Sequence, residues 1–154
     1  MKIKILSLRK SDSRNIQVIE SDYLKRLKKY TSVELIDIKR SKINDLSLRG
    51  YKKDTQKILS YLSKDTYSVL LSDDGREFSS CEFAKFIKTC MHKGIRTMIF
   101  IIGGPTGLSK EIKEKVHYKM SLSRMTFPHR LARLILIEAL YRSFDIIHGG
   151  PYNK

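Results

Sequence analysis

Residues 97–108, Thr97-Met98-Ile99-Phe100-Ile101-Ile102-Gly103-Gly104-Pro105-Thr106-Gly107-Leu108, decide how the rest of the chain is read. The first six are apolar and rich in β-branched residues, the pattern of a strand covered on both faces. They predict a central strand. The glycines that follow let the backbone approach a ligand closely or adopt positive φ. On spacing alone, a ligand loop and a tight turn into a helix are equally open. A P-loop is excluded, because Gly107 is followed by Leu108 and Lys110 has no adjacent Ser or Thr. The spacing is not GxGxxG either, and the loop follows a late strand rather than the first, so a dinucleotide fingerprint is not supported.

Towards the N-terminus, Lys2–Leu8 alternates like a half-buried strand, and Ile16–Tyr30 carries Ile16, Ile19, Tyr23, Leu24 and Leu27 at helical spacing. Val33–Ile38 predicts a second strand, Ser41–Leu48 a polar loop, and Gly50–Leu62 a helix. Tyr67–Leu71 is a short apolar run closed by the turn Asp73-Asp74-Gly75. Ser79 and Glu82 form a capping box that opens a helix reaching His92.

Towards the C-terminus come a helix from Ser109, a short strand over Lys119–Leu122 and a last helix, Leu131–Phe144. Strands and helices alternate throughout, which implies one α/β domain over residues 1–154, with a largely parallel sheet and helices on both faces. The last helix is apolar around most of its circumference, whereas a surface helix shows only a stripe. A chain of 154 residues has little material to bury it twice, which favours a homodimer.

Lys and Arg number 31 against 16 Asp and Glu, a formal charge of +15, and 17 of the basic residues fall in residues 1–66. Clusters at Lys25, Arg26, Lys28, Lys29, at Lys39, Arg40, Lys42 and at Lys52, Lys53, Lys57 interleave with Tyr23, Tyr30 and Tyr51. Phosphate contacts and base stacking are both available, so a nucleic-acid partner is expected ahead of a membrane surface. No apolar run approaches bilayer length, and the first ten residues carry charges where a signal peptide is apolar, which points to a cytoplasmic protein. Cys81 and Cys90 form no CxxC, and the four histidines show no HxxxH or HExxH spacing, so neither a disulfide framework nor a metal site is expected.

What stands out is the segment Leu122-Ser123-Arg124-Met125-Thr126-Phe127-Pro128-His129, the helix motif Leu136 to Arg142, and the terminal Pro151-Tyr152-Asn153-Lys154. Together with Phe100 to Leu108, these four motifs, in order and over the whole length, resemble the small SPOUT-superfamily methyltransferases that modify N3 of a pseudouridine in large-subunit ribosomal RNA. The resemblance implies a deep C-terminal trefoil knot, an obligate homodimer, ribosomal RNA as partner and S-adenosyl-L-methionine as methyl donor. Carried over residue by residue, it implies donor contacts at Leu71, Gly103, Leu122, Ser123, Arg124, Met125, Thr126 and Phe127.

Methyl transfer from a sulfonium to a ring nitrogen is a direct displacement, which needs alignment and proton removal but neither a metal nor an enzyme nucleophile. His129, Arg142, Tyr152 and Lys154 are the catalytic candidates, with Arg133 and Tyr141 as further possibilities for steering. His129 could serve as a base, or equally cap or pack against the last helix. Arg142 could stabilise charge on the base carbonyls. Two positions depart from the family pattern: Asn153 stands where relatives commonly have histidine, and Ser72 where they usually have an acid. Asn153 is the best argument for the rival reading, a non-catalytic basic RNA- or ribosome-binding module with the same fold.

Overall fold

A computed structural model describes residues 1–8, 14–38, 48–103 and 108–153. Five strands, β1 (Lys2–Ser7), β2 (Ser32–Asp37), β3 (Thr66–Arg76), β4 (Thr97–Ile102) and β5 (Tyr118–Met120), alternate with α1 (Arg14–Leu27), α2 (Leu48–Leu59), α3 (Ser80–His92), α4 (Lys110–Lys115) and α5 (His129–Ile147). The sheet order is β2-β1-β4-β3-β5, and every neighbouring pair is parallel. β4 is therefore central, as its unbroken apolar run predicts.

Side-chain alternation divides the core into two layers. Ile3, Ile5, Val69, Met98, Phe100 and Ile102 pack against buried residues of α1, α3 and α5, including Leu27, Phe83, Ile87, Leu136, Ile137, Leu140 and Phe144. Leu6, Leu70, Ile99 and Ile101 face the other way, against Ile58 of α2 and Ile112 of α4. Truncating one such fully buried residue to alanine costs roughly 2–5 kcal/mol.

Local signals account for several helix starts. Ser79 Oγ accepts from Glu82 N at 3.3 Å, and the Glu82 carboxylate accepts from Ser79 N at 2.8 Å, which completes the capping box. Ser109 caps α4 by accepting from Ile112 N. The last helix starts two residues earlier than its apolar pattern and runs three residues further, because Pro128 favours the first turn and the glycine pair Gly149-Gly150 ends it.

One sequence expectation is corrected. Asp73-Asp74-Gly75 does not end β3; the strand continues to Arg76. Leu71 and Arg76 both oppose Met120 of β5, so residues 72–75 bulge out of the ladder. Gly75 makes this possible, because a Cβ there would collide with the Met120 backbone. The expected polar loop at 41–48 lies outside the described residues up to 47, as do the Lys39, Arg40, Lys42 cluster, Lys154, and Gly104 to Gly107. The expected knot is a property of the whole path, including 104–107, and likewise lies outside the described residues.

Elements far apart in sequence meet on the α1–α5 side. Arg133, only 4% exposed, makes two 2.8 Å bonds to the carboxylate of Glu20, 113 residues away, and a 2.7 Å bond to Asp37 at the end of β2. Burial lowers the acidity range of such a guanidinium, but here the two carboxylates outweigh it and Arg133 is held protonated.

Candidate active site

The chain leaves β3 for α3 on one face of the sheet and leaves β4 for α4 on the other. Loops at neighbouring strand ends thereby diverge, and this is where an open parallel sheet forms its ligand crevice. A cleft of about 390 Å³ lies there. Leu70 to Asp73 line it from β3, Ile102 and Gly103 from the end of β4, Leu108 and Lys113 from the region of α4, and Ser121 to Ser123 from the end of β5. Met125 to His129 and Ala132 complete the wall at the start of α5.

Seven of the eight residues named as donor contacts meet in this one cleft: Leu71, Gly103, Leu122, Ser123, Met125, Thr126 and Phe127. Arg124 does not line it; its side chain is 93% exposed and its guanidinium lies 3.8 Å from Glu77. Gly103 sets the width, since a Cβ there would stand 3.3 Å from Leu108 Cγ. Serine hydroxyls shape the segment after β5. Ser121 Oγ donates to Ser123 O at 2.8 Å, and Met125 N donates to Ser123 Oγ at 3.0 Å. These short-range bonds hold the segment in consecutive turns.

The cleft suits a molecule with a neutral heterocycle and a polar tail. Its volume lies in the range of small-molecule sites, its walls are aliphatic and aromatic, and its hydroxyl and charged groups are few. S-adenosyl-L-methionine has this division, and Gly103 leaves the room that a side chain would fill. Among the described residues, no group of three His, Cys, Asp or Glu could hold a metal ion, and no helix is long and apolar enough to cross a membrane.

The catalytic candidates separate. His129, in the first turn of α5, lines the cleft. Two other histidines are engaged elsewhere: His117 Nδ1 lies 2.8 Å from Ser68 Oγ, and His148 Nδ1 lies 2.7 Å from Phe144 O. Arg142 and Tyr152 lie outside the cleft, at the far end of α5. Arg142 Nε donates to Glu138 Oε1 at 3.1 Å, and its guanidinium sits 4.8 Å from the Tyr152 ring centroid. Glu138 raises the Arg142 pKa and so keeps the cation. Asn153, in the place of the family histidine, accepts from Arg142 at 3.4 Å.

Tyr152 donates to Glu138 at 3.1 Å and shares a hydrogen bond of 3.1 Å with the Tyr23 hydroxyl. Burial, then Tyr23 and Glu138, push its pKa far above the ordinary tyrosine value. Its hydroxyl is therefore a donor at neutral pH and a poor base. A smaller cleft connects the two groups. Arg142, Glu138, Phe78 and Phe83 line it, and it shares Ser121 and Leu122 with the larger one.

Sequence reasoning missed Ser121, Asp73 and Lys113 as lining residues. Ser121 adjoins a quoted motif and was within reach. Asp73 enters through the bulge of β3, which has no signature in the sequence, and Lys113 from α4, whose start at Ser109 is legible but whose cleft-facing side is not.

The family model described as "Predicted SPOUT methyltransferase" matches residues 1–153. Two similar curated proteins, both called "Ribosomal RNA large subunit methyltransferase H", come from Flavobacterium psychrophilum, 39% identical, and Flavobacterium johnsoniae, 40% identical, each over 99% of both chains. A protein of the same name from Streptococcus mutans is 34% identical over the full length of both. The match runs through the parallel sheet, the strand-end cleft and the terminal helix alike, and the chain belongs to the SPOUT methyltransferase family.

Proposed function

We propose that the protein methylates N3 of a pseudouridine in the RNA of the large ribosomal subunit, with S-adenosyl-L-methionine as donor. It acts in the cytoplasm as a homodimer of single-domain, C-terminally knotted chains. The observation that carries this reading is the convergence of three strand ends and the start of α5 on one apolar-walled cleft. The printed names of the relatives support the substrate class, and the +15 formal charge suits a polyanion.

When bound, S-adenosyl-L-methionine supplies an electrophilic methyl carbon. Leu71, Leu122, Met125 and Phe127 exclude water around the heterocycle and hold its orientation. Arg124, exposed beside the cleft segment, lies 3.8 Å from Glu77. His129 is the lining residue suited to take the N3 proton of the target base. Arg142, kept cationic by Glu138 in the adjoining cleft, offsets negative charge on the base carbonyls. Tyr152 positions Glu138 and so, through it, Arg142. N3 lies on the pairing edge, so the target must be unpaired or turned out of its stack, which suits a loop nucleotide.

A homodimer is supported by apolar groups left uncovered: Val18 and Ile19 on α1 are 70% and 46% exposed, and Leu131 on α5 is 40% exposed. Exposed lysines on α1, in the turn after it and on α2, among them Lys25, Lys28, Lys52 and Lys53, offer phosphate contacts. The test is transfer of radiolabelled methyl groups to ribosomes from cells lacking this protein. Label confined to one pseudouridine of the large-subunit RNA is the expected result. Micromolar donor binding without transfer would replace this reading with the non-catalytic RNA-binding module, and a monomer in sedimentation would remove the dimer.

A further inference from the structure

The bulge of β3 has a use that the apolar wall does not explain. Leu71 and Arg76 share one partner on β5, so Ser72 to Gly75 are extruded from the ladder, and the extrusion brings Ser72 and Asp73 to the cleft. Bulges re-aim side chains next to active sites in this way. Lys113 reaches the same cleft from α4. Apart from the titratable His129, Asp73 and Lys113 are the charged side chains among the described lining residues, and their signs are opposite.

We infer that Asp73 and Lys113 hold the amino-acid end of the methyl donor, Asp73 taking its ammonium group and Lys113 its carboxylate. This assignment rests on the donor reading above. Neighbouring charges on the same elements are already committed. Asp74 accepts from the Ser72 hydroxyl and pairs with Lys119 at 3.2 Å. On α4, Lys110 pairs with Glu114 at 3.6 Å and Lys115 with Glu111 at 2.9 Å. Lys113 has no ion pair among the described residues. Asp73 spends one oxygen on Asp74 N at 3.0 Å, which fixes the direction of its carboxylate.

The two groups share one rim. Ser72 and Asp73 from the bulge and Lys113 from α4 line the same cleft, and the Asp74 carboxyl, held below its ordinary value by the Ser72 hydroxyl first and then by Lys119, also feels a smaller pull from Lys113. Charge balance gives the carboxylate a second purpose. The donor carries a sulfonium, an ammonium and a carboxylate, a net single positive charge, and approaches a protein of formal charge +15. A carboxylate at the rim offsets that repulsion where the ligand enters.

The experiment is calorimetry with two probes, S-adenosyl-L-homocysteine and methylthioadenosine. Both carry the same nucleoside and a neutral thioether, and they differ in the amino-acid end. The wild-type protein should prefer the homocysteine compound by about tenfold or more, and the preference should shrink as salt rises. Asp73→Asn and Lys113→Gln should each weaken that compound about three- to tenfold, the range of partly exposed charge contacts. Methylthioadenosine should bind both variants as it binds the wild type. A preference unchanged in both variants overturns the assignment. So does a parallel loss of methylthioadenosine, which would mean that the substitutions deform the cleft. A wild-type protein that binds neither probe, nor the donor itself, overturns the donor reading and this assignment with it.

Discussion

The two ends of α5 solve opposite problems. At its start, Pro128 makes no side-chain capping bond, and His129 and Ala132 open onto the cleft. At its end, the polar groups are tied to one another. Tyr30 donates to Asp145 at 3.1 Å, Tyr152 N donates to the same carboxylate at 2.9 Å, and Tyr152, Tyr23, Glu138 and Arg142 form a connected set. A binding site needs groups that are held in place and face the ligand space, and His129 at the start of the helix faces it. The far end spends most of its bonding capacity on the chain itself, so donor binding falls to the start of the helix, while Arg142 at the far end is held in place to meet the target base.

The Arg133 clamp gives the strongest way to break the contrast, because it fixes the open end without touching the cleft. Arg133→Met leaves Glu20 buried and unpaired, and a loss of about 3–5 kcal/mol in unfolding free energy is expected from denaturant titration. Glu20→Gln/Arg133→Met together should recover part of it, since the orphaned charge is then gone. If the single variant unfolds at the wild-type midpoint, the clamp does not hold α5.

Gly103→Val tests the cleft directly. The added side chain crowds Leu108, which lines the cleft with Gly103, so methyl transfer should fall about a hundredfold, equivalent to ~2.7 kcal/mol, with a thermal midpoint close to the wild type. Loss of folding rather than of donor binding would show that Gly103 serves the turn and not the site.

Tyr152→Phe sharpens the comparison with the smallest effect. Removing the hydroxyl deletes two hydrogen bonds and should cost about 1 kcal/mol of stability. With its pKa raised, Tyr152 stays protonated across neutral pH; deprotonation would require a phenolate beside the Glu138 carboxylate. The pH profile of kcat/KM in the variant should therefore keep the wild-type shape. A displaced basic-side limb would mean that Tyr152 titrates in the working enzyme.

The sheet was readable because burial on both faces leaves an uninterrupted β-branched run, and Thr97–Ile102 is such a run. The capping box at Ser79 and Glu82 was readable for the same reason, as a local interaction with a fixed spacing. The β3 bulge was not. Asp73-Asp74-Gly75 has the composition of a turn, and its real conformation is decided by Met120 of β5, 45 residues beyond Gly75. Arg133 illustrates the same limit from the other side, because nothing near it in sequence announces Glu20 or Asp37 as partners. Gathering Leu71, Gly103 and the 122–127 segment into one site came from the resemblance to the family, since their separation in sequence carries no local signal.

Those long-range pairings also order the events of biosynthesis. Glu20 and Tyr23 precede their partners, Arg133 and Tyr152, by 113 and 129 residues, so the partners are translated long after them. A nascent chain can form β1 and α1 early, but the ligand crevice lacks its final wall until α5 has emerged and docked. An enzyme assembled in this sequence acquires competence in one late step, so partially synthesised chains contribute no premature activity.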